Sequence, residues 1–179
     1  ETMAGKKAFC LSDLSQKLHL PTPSGFVITT NAFHYFLEAN NLHAPINQRL
    51  AGLDISAPSS LEETARQIET LILKAEIPED LGHAVTDAVT GLEQRCAMDL
   101  RVAVRSSAVK EDGSISFAGC YETVLNVRTA DILTGYKQVI ASKYSARALY
   151  YRINHGILDD ETPMAVLVLE MIDSNASGV

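Results

Sequence analysis

The sequence predicts an α/β fold, α+β by stricter classification, in which helices pack on a sheet lobe. Three observations carry that reading. β-Prone runs stand at residues 25–30, 101–104, 124–127 and 164–172; helical-period apolar spacing marks residues 31–39, about 61–97 and 131–154; and 179 residues at 46% apolar content suffice for a real core. The chain reads as one domain or two small lobes, with no internal repeat and no low-complexity tract.

Taken in order, Ala8, Leu11, Leu14 and Leu18 give a short amphipathic helix, and the Pro21–Gly25 cluster stops it. Gly5, Lys6 and Lys7 precede it, so two cations sit at the positive end of a helix dipole, where something must compensate them. Two readings stand there: solvated lysines on a frayed terminus, or helix amides and a lysine converging on an anion. Gly25–Thr30 is a β-branched strand, Asn31 a helix cap, and Phe33, Tyr35, Phe36 and Leu37 the core face of the helix that follows. Residues 40–60, rich in Asn, Pro, Gly and Ser, read as an irregular crossing. Ser60 and Glu63 make a capping-box pattern for a helix carrying Leu61, Ala65, Ile68, Leu71 and Ile72. After Ile77-Pro78 a further helix runs from about Glu79 to Ala97, with Leu81, Val85, Ala88, Val89 and Leu92 inward. Residues 131–154 form one long or broken helix whose Lys137, Lys143, Arg147 and Arg152 read as a partly solvated face. Met164–Ile172 is an almost continuous apolar strand of the kind buried on both sides.

The stretch from Arg101 to Val127 joins two strands by a polar, glycine-containing loop, and Arg105 stands where the first strand stops. A planar five-donor guanidinium followed by Ser106 and Ser107 suits phosphate or carboxylate; a surface salt bridge is the alternative. The loop Gly113–Gly119 has the composition of a lid, or of a hairpin tip with Phe117 tucked into a groove. Gly119 would let backbone approach a phosphate. Glu111 and Asp112 fit a turn better than a magnesium or acid–base pair.

Composition excludes several classes. A net charge of −7 and a pI near 5.2, without a cluster of Lys or Arg, argue against a surface that follows nucleic acid or an anionic membrane. Apolar runs are too short to span a bilayer and no signal-peptide pattern opens the chain, so a soluble, cytoplasmic protein is expected. Cys10, Cys96 and Cys120 have no metal or disulfide spacing, and His19, His34, His43, His83 and His155 read as surface or capping residues. No metal site is expected.

Six ordered blocks then carry a resemblance over nearly the whole chain: Gly5–Leu14, Leu20–Thr29, Val104–Ala108 with Glu111-Asp112, Ser116–Val127, Ser142–Arg147 with Tyr151-Arg152, and Leu169–Ile172 through Ser177–Val179. In this order they resemble the amino-terminal nucleotide-binding domain of the phosphoenolpyruvate synthase and pyruvate phosphate dikinase family. The resemblance implies an ATP-grasp-like fold with a mixed sheet lobe, here as a partial nucleotide-binding domain over residues 1–179 with a helical segment at about 31–98. It assigns Lys7 and Arg105 to the ATP phosphates as the catalytic cations, Gly119 and Thr123 to the covering loop, and Glu170 and Ile172 to the adenine pocket. Lys6 stands where the family usually has a second glycine, Cys120-Tyr121 where it often has Gln-Gln, and Leu169 where glutamine is frequent.

What the resemblance implies for function is transfer of phosphate from ATP through a phosphohistidine to pyruvate, giving phosphoenolpyruvate. The magnesium ligands, the phosphohistidine domain and the pyruvate-binding barrel would lie outside this chain, none of the five histidines would be the carrier, and the chain alone would not turn over. Phosphotransfer to another acceptor, an antibiotic or a glucan, and a non-catalytic nucleotide-sensing module remain as alternatives.

Overall fold

The computed structural model describes residues 3–96, 99–108, 117 and 119–174. Four strands, β1 (Gly25–Ile28), β2 (Arg101–Ala108), β3 (Thr123–Arg128) and β4 (Met164–Glu170), form one sheet in the order β1-β4-β2-β3. All three pairings are antiparallel, where a mixed sheet was expected. The long helical crossing between β1 and β2 returns the chain two positions over, and β4 then fills the gap running against both neighbours. β4 is buried from Met164 to Leu169, which explains its unbroken apolar run.

Four helices separate β1 from β2: α2 (Thr30–Ala39), α3 (His43–Ala51), α4 (Pro58–Lys74) and α5 (Glu79–Glu93). Thr29 rather than Asn31 caps α2, its hydroxyl accepting from the Ala32 N–H at 3.4 Å. Helix α3 replaces the irregular crossing expected at residues 40–60. Leu42, Ile46 and Leu50 recur at helical spacing against the core, and Pro45 falls in the first turn, where a missing N–H costs nothing. No capping box forms at Ser60: α4 starts earlier, at Pro58, which is preset for a first helical position, and Glu63 instead pairs with Arg66 at 2.7 Å.

The predicted 131–154 helix is broken in two, α6 (Ile132–Ser142) and α7 (Ala146–Asn154). The break is a cap, with the Ser145 hydroxyl accepting from the Ala148 N–H at 3.3 Å. Its basic residues are not one solvated face. Lys143 and Arg152 are 1% and 2% exposed, and both grip Asp159, Lys143 Nζ at 2.9 Å; Lys137 Nζ donates to the Leu73 and Ala75 carbonyls at the end of α4. Arg147 alone of the four is exposed.

Side chains of α2 to α7 make the main core on one sheet face with Val102, Val104, Val166 and Val168. Gly135 of α6 lies so close to β2 that a Cβ there would come within 3.3 Å of Val104. The opposite face carries one helix among the described residues, α1 (Gly5–Gln16), over a small cluster of Ala8, Leu167 and Leu169.

Candidate functional site

The N-terminus of α1 is held against the end of β2 by contacts that only these residue types allow. Gly5 has φ +72°, and a Cβ on it would stand 1.8 Å from the Ser107 carbonyl oxygen. No side chain of α1 caps it. The Ser107 hydroxyl takes that role from β2, donating to the Ala4 carbonyl at 2.8 Å and accepting from the Ala8 N–H in the first turn at 3.2 Å. Lys7 Nζ, half-buried, donates to the Ser106 carbonyl and hydroxyl oxygens at 3.2 and 3.3 Å. The two serines, read from sequence as phosphate donors, thus hold α1 in place. They supply part of the compensation that cations at a helix start require.

Lys7 is thereby fixed to the residue that follows Arg105. Arg105 pairs across the sheet with Thr123 of β3 and Leu167 of β4, so all three belong to the face that carries α1. Arg105 and Thr123 are exposed, and no described residue forms an ion pair with the Arg105 guanidinium. Arg105 and Thr123 are therefore cross-strand neighbours, and Lys7 is bonded to the residue next to Arg105. Gly119, at φ +70°, precedes β3 in a turn; a side chain at that position would meet Arg147 at 3.6 Å.

Glu170 and Ile172 meet at the other end of β4. With Cys96, Asp99, Arg101 and Asn126 they border a groove of about 360 Å³, within the size range of small-ligand sites. Glu170 Oε1 accepts from the Ser24 N–H at 2.7 Å, and the Cys96 thiol donates to Oε2 at 3.0 Å. The thiol bond foremost, with the Ser24 amide, holds the Glu170 carboxyl below its ordinary range, and the same bond raises the Cys96 thiol. The Glu170 N–H donates to the Ser24 carbonyl and the Met171 N–H to the Arg101 carbonyl, leaving Ile172 as the first residue past both commitments. Glu170 pairs with Val102 and Leu167 with Arg105, so groove and cations are three residues apart along β2, about 10 Å.

A groove of about 450 Å³ borders Gly119 on the helical side, but neither Lys7 nor Arg105 lines it. Burial, then Glu122, raises the Glu69 carboxyl there. Two facing carboxylates disfavour a polyphosphate in that groove.

The family described as "Pyruvate phosphate dikinase, AMP/ATP-binding domain" matches residues 1–179. The chain belongs to this family. It is 34% identical over 180 residues to a probable phosphoenolpyruvate synthase of Methanothermobacter thermautotrophicus, covering 99% of the chain and 26% of the relative. It is 37% identical to the phosphoenolpyruvate synthase of Aquifex aeolicus, covering 99% and 22%, and 35% identical to that of Deinococcus radiodurans, covering 100% and 23%. The chain thus spans about a quarter of the length of these relatives. Its α/β architecture fits an ATP-grasp-like lobe of this dikinase family.

Within that frame, Glu111, Asp112 and the loop from Gly113, apart from Phe117 and Gly119, lie outside the described residues, as do residues 175–179. Phe117 is 1% exposed, stacked on Tyr121 at 5.4 Å and edge-on to Tyr151 at 5.1 Å, so it is a packing residue tucked into the helical side. Among the described residues no group of three or more His, Cys, Asp or Glu is arranged to hold a metal ion, and no helix is long and apolar enough to cross a membrane. All five histidines are exposed. Sequence reasoning missed Ser24 and Cys96, which sit in a cluster of turn residues and past a helix end, and act only through Glu170.

Proposed function

We propose that this chain is the lobe that grips ATP in a phosphotransferase of the phosphoenolpyruvate synthase type, with Lys7 and Arg105 on the phosphates. The observation that carries this is the docking of α1: it bonds Lys7 Nζ to Ser106, the residue that follows the exposed Arg105, so both cations belong to the same stretch of β2. An arginine fork matches phosphate oxygens, and a lysine adds a point charge that can stabilise the negative charge building on the bridging oxygen as the leaving group departs. Thr123, opposite Arg105, offers a hydroxyl, and Gly119 lets the turn approach the phosphates without a side chain. Adenine then occupies the groove at Glu170 and Ile172, about 10 Å along the strand, a span that an extended nucleoside triphosphate bridges.

For the whole protein this reading means a phosphate passed from ATP through a phosphohistidine to pyruvate, with the histidine, the pyruvate site and the magnesium ligands supplied outside this chain, in the cytoplasm where both substrates occur. The partial nucleotide-binding domain at residues 1–179 supplies binding and orientation. Calorimetry of ATP binding to the full-length protein tests it. Lys7→Ala and Arg105→Ala should each weaken ATP by on the order of 2 kcal/mol, about thirtyfold. Unchanged affinity in both variants would reject the phosphate assignment.

A further inference from the structure

We propose that Cys96 is a positioning residue for nucleobase binding, acting through Glu170; this rests on placing the base in the groove at Glu170 and Ile172. The Glu170 carboxylate there reaches two separate segments, Ser24 before β1 and Cys96 after α5. Its Oε1 is held by a backbone N–H at 2.7 Å and its Oε2 by the Cys96 Sγ at 3.0 Å. The main chain on either side is engaged too, Glu170 N–H to the Ser24 carbonyl at 2.9 Å and Met171 N–H to the Arg101 carbonyl at 2.8 Å. Four bonds therefore fix where β4 ends and where Ile172 begins. Two join backbone to backbone, one joins the Ser24 N–H to the Glu170 carboxylate, and the Cys96 thiol supplies the one that joins two side chains.

Cys96 also stands at the rim, bordering both the groove at Ile172 and a second cavity of about 490 Å³ lined by Glu93, Leu100 and Arg128. Without the thiol, Glu170 Oε2 loses its donor and can turn into the groove at Ile172, where it competes for the polar edge of a base. The depressed Glu170 carboxyl and the raised Cys96 thiol agree with a neutral thiol donating to a carboxylate. The consequence is selective: affinity for the base should depend on Cys96, and affinity for the phosphates should not.

The test compares ATP with inorganic tripolyphosphate, which has no base, on the full-length protein. Cys96→Ala should weaken ATP about five- to tenfold, the order of one lost hydrogen bond from a weak donor, and leave tripolyphosphate unchanged. Cys96→Ser keeps a donor and should restore ATP affinity to within about twofold. Equal weakening by both variants, or no weakening by Cys96→Ala, overturns the proposal. Ile172→Glu separates it from the placement of the base. If that variant leaves ATP affinity unchanged, the groove does not hold the base and both readings fall. If Ile172→Glu weakens ATP while Cys96→Ala does not, only the role of Cys96 falls.

Discussion

The two faces of the sheet differ in how they are finished. On one, Val102, Val104, Val166 and Val168 are fully buried under six helices, and even the charges are internal: Lys143 and Arg152 close on Asp159, with Lys143 Nζ 5.1 Å above the Phe33 ring. On the other, α1 covers a three-residue cluster, while Arg105, Thr123 and Leu125 stay open. The same strands make both faces, so alternation along β2 sends Val104 to the core and its neighbour Arg105 to solvent. Buried Val104 and exposed Arg105 are thereby separated by parity alone. The difference teaches that mutations one position apart should read out on different measurements.

The largest expected effect is on the closed face. Removing Asp159 leaves two cations buried without their carboxylate and frees the Tyr144 hydroxyl, which donates to it at 3.0 Å. Asp159→Ala should cost about 3–5 kcal/mol in denaturant unfolding. Burial alone would raise the Asp159 carboxyl, but Lys143 and then Arg152 outweigh it and hold it down to about 2. Because the folded value lies below the ordinary one, its contribution is complete above about pH 4 and is lost as pH falls through about 2. The wild type and Asp159→Ala should therefore converge in stability on acidification. Parallel curves down to pH 2 would show that the cluster does not hold the closed face together.

A smaller effect should come from the hinge between the faces. Gly5→Ala forces a left-handed residue, about 1–2 kcal/mol by itself, and drives a Cβ into the Ser107 carbonyl. α1 should lift from β2, with faster amide exchange over residues 6–16 and ATP affinity falling as far as in Lys7→Ala, while the helical core keeps its protection. Protection lost equally on both faces would erase the distinction.

The closed face was the more legible in sequence. Leu61, Ala65, Ile68 and Ile72 recur with the helical period, and β4 announces its burial by an unbroken apolar run. Helix α3 was missed because Pro45 and the surrounding polar residues outweighed a sparse apolar spacing. The buried Lys143–Arg152–Asp159 cluster was hidden for a different reason: a lysine nine residues from an arginine looks solvated until a partner arrives from another segment. On the open face the motifs gave Lys7 and Arg105, but spacing alone said nothing of what brings them together. Ser106 and Ser107 do so by holding α1, a pairing 99 residues apart in sequence.

The smallest expected effect is the most discriminating. Leu125 is 57% exposed on β3 beside the bulge at Asn126, whose φ is +57°, and Arg105 stands on the same open face with an exposed side chain. Neither side chain is part of the core clusters, so Arg105→Ala and Leu125→Ser should each leave unfolding free energy within about 0.5 kcal/mol of the wild type. Arg105→Ala should still lose ATP, whereas the neighbouring Val104→Ala should lower stability, because it removes methyls packed against Gly135. A drop above about 1.5 kcal/mol in Arg105→Ala would mean that this arginine belongs to the packing of the sheet. Stability that holds while binding falls is the result that assigns the open face to ligand.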